Sequence, residues 1–212
     1  MIALEKQVQV VDHPVVQHLL TRLRDYQTQP SDFRRYSLSL SQYLFYEAAR
    51  QMNVRDVEVE TPVGNAEGRS LTDYVIIAPV LRAGLVLGEA AQKILPAARV
   101  YHVGLKRDET TLEAKSYYAK LPESLPQESR VFVLDPMLAT GGSAVAAIDL
   151  FAKHNVHAIQ LVSFVAAPEG IKRVHEAFPN VHITVGSVDL CLNEHGYIVP
   201  GLGDAGDRIF GT

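Results

Sequence analysis

The sequence predicts an α/β protein in which a central, mostly parallel sheet is flanked by helices on both faces. Three observations carry this. From Leu71 onward, short β-rich runs alternate with helix-like segments: TDYVIIAP, RAGLVLGEAAQKIL, ARVYHVG, RVFVLD, GGSAVAAIDLFAKH, AIQLVSFVA, PEGIKRVHEAF and VHITVGSVD. That is the rhythm of strand–helix–strand units. The strands are continuous apolar runs rather than alternating ones, as expected of a sheet with both faces covered. A chain of 212 residues, 47% hydrophobic, is long enough for a sizeable core and short enough for one unit spanning residues 1–212.

The elements before Leu71 follow from local patterns. Val15, Val16, Leu19, Leu20 and Leu23 recur at helical spacing after Pro14, and proline suits the first turn of a helix. A second helix begins near Ser31 and carries Leu38, Leu40, Leu44 and Phe45 until the chain turns polar at Asn53. RDVEVETPVG then alternates like a half-buried strand, ended by Pro62 and Gly64. Residues 1–60 thus read as an N-terminal extension of helix and strand without a chemical motif. Two segments break the later α/β rhythm: KRDETTLEAKSYYAKLPESLPQ, between two strands, and the tail LNEHGYIVPGLGDAGDRIFGT. Long irregular segments of this kind serve as lids or binding loops.

Composition excludes several function classes. A formal net charge of -4 provides no global attraction for nucleic acid or an acidic membrane, so a polyanionic small ligand needs locally placed arginines. The N-terminal stretch lacks the apolar core and cleavage site of a signal peptide, and no apolar run reaches membrane-spanning length, so the expected location is cytoplasmic. The single cysteine, Cys191, excludes an intrachain disulfide and a cysteine-rich zinc site, and in SVDLCLN it reads as a buried, idle thiol. Among the eight histidines, His154 and His157 lie three apart near a helix end. No H-E-x-x-H motif or G-x-S-x-G elbow occurs.

The strongest chemical motif is VFVLDPMLATGGSAVAAI, residues 131–148. A buried strand delivers Asp135, a short loop follows, and Thr140, Gly141, Gly142 and Ser143 open a helix. Glycines let the backbone approach a ligand, and free N–H groups at the helix start, aided by its dipole, favour an anion. An isolated TGGS is equally an ordinary N-cap. Asp135 directly before it tips the reading toward a sugar phosphate, because a carboxylate can hold ribose hydroxyls while the loop holds phosphate. The lysine of a Walker P-loop is missing. GLGDAG, residues 201–206, formally matches a dinucleotide fingerprint, but only residues 207–212 follow, too few for the required helix, strand and ribose-binding acid.

The run of strand, Asp135, loop and TGGS resembles the 5-phosphoribosyl-1-pyrophosphate (PRPP) signature of type I phosphoribosyltransferases. The string LDPMLATGGS resembles the uracil-specific branch, and APVLRAGL, RDETTLEAKSYYAKLP and GYIVPGLGDAGDRIFGT agree with it, so the match runs from about Tyr74 to the C-terminus. That superfamily commonly carries two adjacent acids where this chain has Asp135 followed by Pro136.

The resemblance implies a type I phosphoribosyltransferase fold with a flap over 104–127 and a C-terminal base-binding hood over 190–212. It implies transfer of phosphoribosyl to uracil, with catalytic roles for Arg82, Arg107 and Asp135. PRPP contacts fall on Arg82, Arg107, Asp135, Pro136, Met137, Leu138, Ala139, Thr140, Gly141, Gly142, Ser143 and Asp204. Uracil contacts fall on Tyr197, Ile198, Gly203, Asp204 and Ala205, where relatives often carry a larger aromatic at Ala205. Arg82 and Arg107 would hold the pyrophosphate, a task suited to the arginine fork. Mg²⁺ would be held mainly by PRPP and water rather than by direct protein ligands. A GTP effector and a homodimer or higher homo-oligomer also fit. Two rivals are a regulatory RNA-binding protein on the same fold, opposed by the net charge, and an enzyme for another base, opposed by the tail.

Overall fold

Proline starts several helices, as the sequence predicts: Pro14, Pro30 and Pro168 each occupy a first turn, where a missing N–H costs nothing. The computed structural model describes residues 7–107 and 114–212. In chain order the elements are β1 (Val8–Val10), α1 (Pro14–Arg24), α2 (Pro30–Ala48), a 3-10 turn (Ala49–Gln51), β2 (Val54–Thr61), β3 (Gly64–Leu71), β4 (Tyr74–Leu81), α3 (Leu85–Ile94), β5 (Arg99–Val100), β6 (Val103–Arg107) and β7 (Ala114–Ala119). There follow β8 (Ser129–Leu134), β9 (Met137–Leu138), α4 (Gly142–Ala152), β10 (Ala158–Ala166), α5 (Pro168–Ala177), β11 (His182–Val188), β12 (Cys191–Leu192), β13 (Ile198–Val199) and α6 (Ala205–Phe210).

Among the described residues the main sheet has nine strands, in the order β1-β11-β10-β8-β4-β6-β7, with β5 beside β4 and β9 beside β10. Each of these pairings is parallel except β6 with β7. The continuous apolar runs have the expected cause. Ile77, Phe132 and Leu134 face a core made by α1, α2 and α3, while Ile76, Ala78, Val131 and Val133 face one made with α4 and α5. Successive strand residues point to opposite faces, so both must be apolar. Phe132, fully buried, meets Phe45 of α2 edge-on at 4.9 Å. Truncating it to alanine is expected to cost about 3–5 kcal/mol.

The structure departs from the sequence-based expectation in four places. A short edge strand, β1, pairs with β11 where no element was expected. The strand expected to be half-buried is one arm of a β2–β3 hairpin, paired from Val54↔Leu71 to Thr61↔Gly64. Most of its side chains are exposed, and the alternation of the β2 sequence is not matched by alternating burial, because no second layer covers it among the described residues. The segment after Gly104 is not irregular at its start; β6 and β7 form an antiparallel pair with a bulge at Gly104/Leu105. Cys191 is half-exposed rather than buried, on the short β12–β13 pair.

The hairpin is fastened at its root. Asp73, almost wholly buried, accepts from Asn53 N and Nδ2, each at 2.8 Å, and pairs with Arg130 Nε at 2.9 Å. This ties the hairpin to the start of β8, next to β4 in the sheet.

Candidate active site

Parallel sheets place ligands beyond the carboxyl ends of their strands, and here the ends of β4 and β8 lie side by side, Pro79 opposite Leu134. After β4 the chain turns through Arg82–Gly84 into α3. The Leu81–Arg82 peptide is cis. A Cβ on Gly84 would lie 2.3 Å from Leu134 O and 2.6 Å from Val80 N and O, so only glycine lets this turn lie flat against β8.

After β8, Asp135 leaves the sheet, β9 resumes pairing with β10, and the loop through Thr140 opens α4. Gly141 has φ +77°, the left-handed conformation glycine tolerates best, and a Cβ there would stand 2.9 Å from Gly170 O. The Thr140–Ser143 turn is therefore wedged between α4 and the start of α5.

The tail folds over these loops. Asn193 Oδ1 accepts from His195 N at 3.0 Å and Tyr197 N at 2.9 Å, closing the turn between β12 and β13. Beyond β13, Gly201 and Gly203 adopt φ +60° and +77°. Asp204 caps α6, its Oδ1 accepting from Asp207 N at 3.0 Å. The tail, read from the sequence as an irregular binding loop, also contains this short helix, which begins inside the GLGDAG string, and no strand follows it.

Together these segments border an open cavity of about 450 Å³. Of the residues expected from the sequence, Arg82, Asp135, Met137, Ala139, Ser143, Tyr197, Gly203, Asp204 and Ala205 line it. Pro136, Leu138, Thr140, Gly141, Gly142 and Ile198 are not part of its lining, and the side chain of Ile198 belongs to the core. Arg107 ends β6, and its side chain lies outside the described residues. Val80, Leu81, Ala83, Gly196, Gly206 and His195 also line the cavity. His195 was missed because a lone histidine in a turn has no spacing to announce it.

The electrostatics suit an anionic sugar. Burial pushes the Asp135 carboxyl up to about 7, a long hydrogen bond from Met137 N at 3.4 Å acting weakly the other way. A carboxyl so poised can exchange hydrogen bonds with hydroxyl groups. Arg82 supplies positive charge on the same cavity, and its side chain is more than half exposed.

A strand-end carboxylate, a glycine-built turn at a helix start and an arginine turn around one cavity, on this sheet, define a type I phosphoribosyltransferase. In the fold, the chain is similar to adenine phosphoribosyltransferase of Leishmania donovani, with a TM-score of 0.57 at 14% identity over 89% of this chain and 86% of that one. A solved protein of Aquifex aeolicus is far more similar, with a TM-score of 0.89 and 40% identity over 96% of this chain and 97% of that one. In sequence, the uracil phosphoribosyltransferase of Dictyoglomus turgidum is 50% identical over 204 residues, 96% of this chain and 98% of the relative. The profile of the uracil phosphoribosyltransferase family matches residues 10–212, and the chain belongs to that family.

Proposed function

We propose that the chain transfers the 5-phosphoribosyl group of PRPP to N1 of uracil, giving UMP and pyrophosphate in pyrimidine salvage. One observation carries the reading: Arg82, Asp135, Ser143 and Gly203–Ala205 border a single cavity, so the sites for pyrophosphate, ribose, 5-phosphate and base are contiguous. Its volume of about 450 Å³ falls within the usual range for a small-molecule site, roughly 300–1,000 Å³.

At the anomeric carbon the pyrophosphate leaves as positive charge builds on the ribose ring, and uracil N1 attacks. No protein nucleophile is needed. The protein positions the two substrates and stabilises the charge of the departing group, the task of Arg82 and Arg107. Asp135 holds the ribose hydroxyls, and the Thr140–Ser143 turn holds the 5-phosphate. Gly203, Asp204 and Ala205, with Tyr197 and the backbone near Ile198, read the base.

Among the described residues no group of three or more acids, histidines or cysteines gathers to hold a metal. Asp135 and Asp204, the carboxylates on the cavity lining, suit outer contacts to the water shell of a Mg²⁺ bound chiefly by PRPP. The ion would neutralise pyrophosphate charge.

Residues 1–212 form one catalytic domain in this reading, with 104–127 as the flap and 190–212 as the base-binding hood. The enzyme acts in the cytoplasm as a homodimer or higher oligomer. The β2–β3 hairpin supports self-association, because a two-stranded ribbon is marginally stable alone and this one exposes Val54, Val59, Val63 and Leu71. GTP is a candidate effector. The deciding assay mixes the protein with PRPP, Mg²⁺ and uracil, cytosine, hypoxanthine, adenine or orotate in turn and follows pyrophosphate release. Release with uracil alone is expected; release with another base and none with uracil would overturn the reading.

A further inference from the structure

The base-reading loop touches the N-terminal helices through two arginines that never reach the cavity. Arg24, the last residue of α1, forms a fork with Asp189: Nη1 reaches Oδ2 at 2.7 Å and Nη2 reaches Oδ1 at 2.6 Å. The Asp189 side chain is only 2% exposed, so this is a desolvated pair rather than a surface one. Both backbone groups of Gly201 are bonded to it. Gly201 N donates to Asp189 Oδ2 at 2.9 Å, and Gly201 O accepts from Arg24 Nη1 at 2.8 Å. Ser187 Oγ donates to Asp189 Oδ1 at 2.8 Å and fixes the carboxylate's orientation. Only glycine fits at this point, since at φ +60° a Cβ would meet Ile198 O at 2.2 Å.

The next peptide is held from the other side. Arg208 of α6 donates through Nη1 to Leu202 O at 2.7 Å and to Leu23 O, and through Nη2 to Asp25 O at 2.6 Å. Its guanidinium lies 4.2 Å from the centre of the Phe33 ring on α2. Leu23 and Asp25 flank Arg24, so the same end of α1 grips residues 201 and 202 in succession. The chain enters the cavity immediately afterwards, at Gly203.

We infer that Arg24, Asp189 and Arg208 are positioning residues for base recognition, setting the height and tilt of the loop 203–205 above the cavity from the end of α1. The inference rests on the proposed function and gives residues 1–60 a part in it. A backbone that reads a base by hydrogen bonds must stand within a few tenths of an ångström of its place, and neither Gly203 nor Ala205 has a side chain able to hold it there. None of the clamp's hydrogen bonds reaches the Thr140–Ser143 turn, so the grip on the 5-phosphate, which carries most of PRPP binding, is separable from it.

The test compares the parent with three variants: Arg24→Lys, Arg208→Met, and the neutral pair Arg24→Met with Asp189→Asn. Lysine preserves charge opposite Asp189 but cannot span the carboxylate and Gly201 O together. Each variant is expected to raise the uracil KM and lower the uracil-over-cytosine preference by roughly tenfold, with Arg24→Lys mildest, while the PRPP Kd from calorimetry stays within about twofold. Amide exchange at 201–206 should quicken in Arg24→Lys while that at 137–143 does not. Unchanged base kinetics in a folded Arg24→Lys protein would overturn the inference, as would uracil KM and PRPP Kd worsening together in step with Tm. A parent that makes no UMP sinks the proposed function instead, and the exchange measurement still tests the clamp.

Discussion

Arg82 Nη2 stands 3.4 Å from Asp207 Oδ1, joining the turn after β4 to the helix of the tail. Both side chains are more than half exposed, so the pair is weak and a polyanion can displace the carboxylate. Arg82→Ala is expected to lower kcat on the order of 10²-fold, because its partner gains charge as it leaves, and Arg107→Ala should act likewise. Asp207→Asn removes a competitor and should lower the PRPP KM about twofold. Steady-state kinetics decide it: unchanged turnover in both arginine variants excludes them from holding pyrophosphate.

In the Thr140–Ser143 turn, Ser143 lines the cavity and Thr140 does not. Ser143→Ala should therefore raise the PRPP KM more than Thr140→Ala does. The loss is roughly 1.5–3 kcal/mol, that of one hydrogen bond to a charged group, with the uracil KM little changed. Gly141→Ala should be worse than either, since it strains φ +77° and drives a methyl within 2.9 Å of Gly170 O. An unaltered PRPP KM in Ser143→Ala would mark the turn as a helix cap only.

Asp135, with its carboxyl raised to about 7, is protonated in the free protein below that pH and ionised above it. In the proposed reaction it is the ionised form that accepts from the ribose hydroxyls, so kcat/KM for PRPP should rise with pH through about 7 and then level. Asp135→Asn should flatten this limb, which separates it from the substrate's own phosphate titration. Stability runs the other way. A carboxyl whose folded pKa exceeds its unfolded value, about 3.9, binds more protons when folded, so stability is fully present below that value. It declines as pH rises to about 7, and denaturant titrations of Asp135→Asn should lack that decline.

Backbone reading predicts strong selection of uracil over cytosine. Cytosine replaces the O4 acceptor by a donor and the N3 donor by an acceptor, leaving two buried groups unpaired. The expected cost is on the order of 10²–10⁴ in kcat/KM. Asp204→Asn keeps an oxygen to cap α6 and should retain this selectivity even if turnover falls. Comparable rates on both bases would place the base elsewhere.

What could be read in advance follows from where the information lies. Ile76, Ile77, Val131 and Phe132 disclose buried strands because covering both faces leaves no polar position. Asp135 and Gly141 disclose the site because strand end, turn and helix start are neighbours in the chain. β3, GNAEGRSL, has two glycines and little apolar content, and its strand is imposed by pairing with β2. α6 was concealed by the glycines around its start. The bonds of Arg24 to Gly201 O and of Arg208 to Leu23 O and Asp25 O span 177 to 185 residues and leave no local pattern.

That last separation has a kinetic meaning. Contacts between distant parts of a chain close the longest loops and tend to form late. The Thr140–Ser143 turn needs only β8, β9, α4 and the start of α5 with their sheet neighbours, whereas the loop at 203–205 must wait for both ends of the polypeptide to meet. On dilution from denaturant, the ability to bind PRPP should return before the ability to make UMP. The interval between them should lengthen in Arg24→Lys, and both can be timed by interrupting refolding with each assay. Newly made chains would thus pass through a stage in which the sugar phosphate is held and no base can yet be chosen.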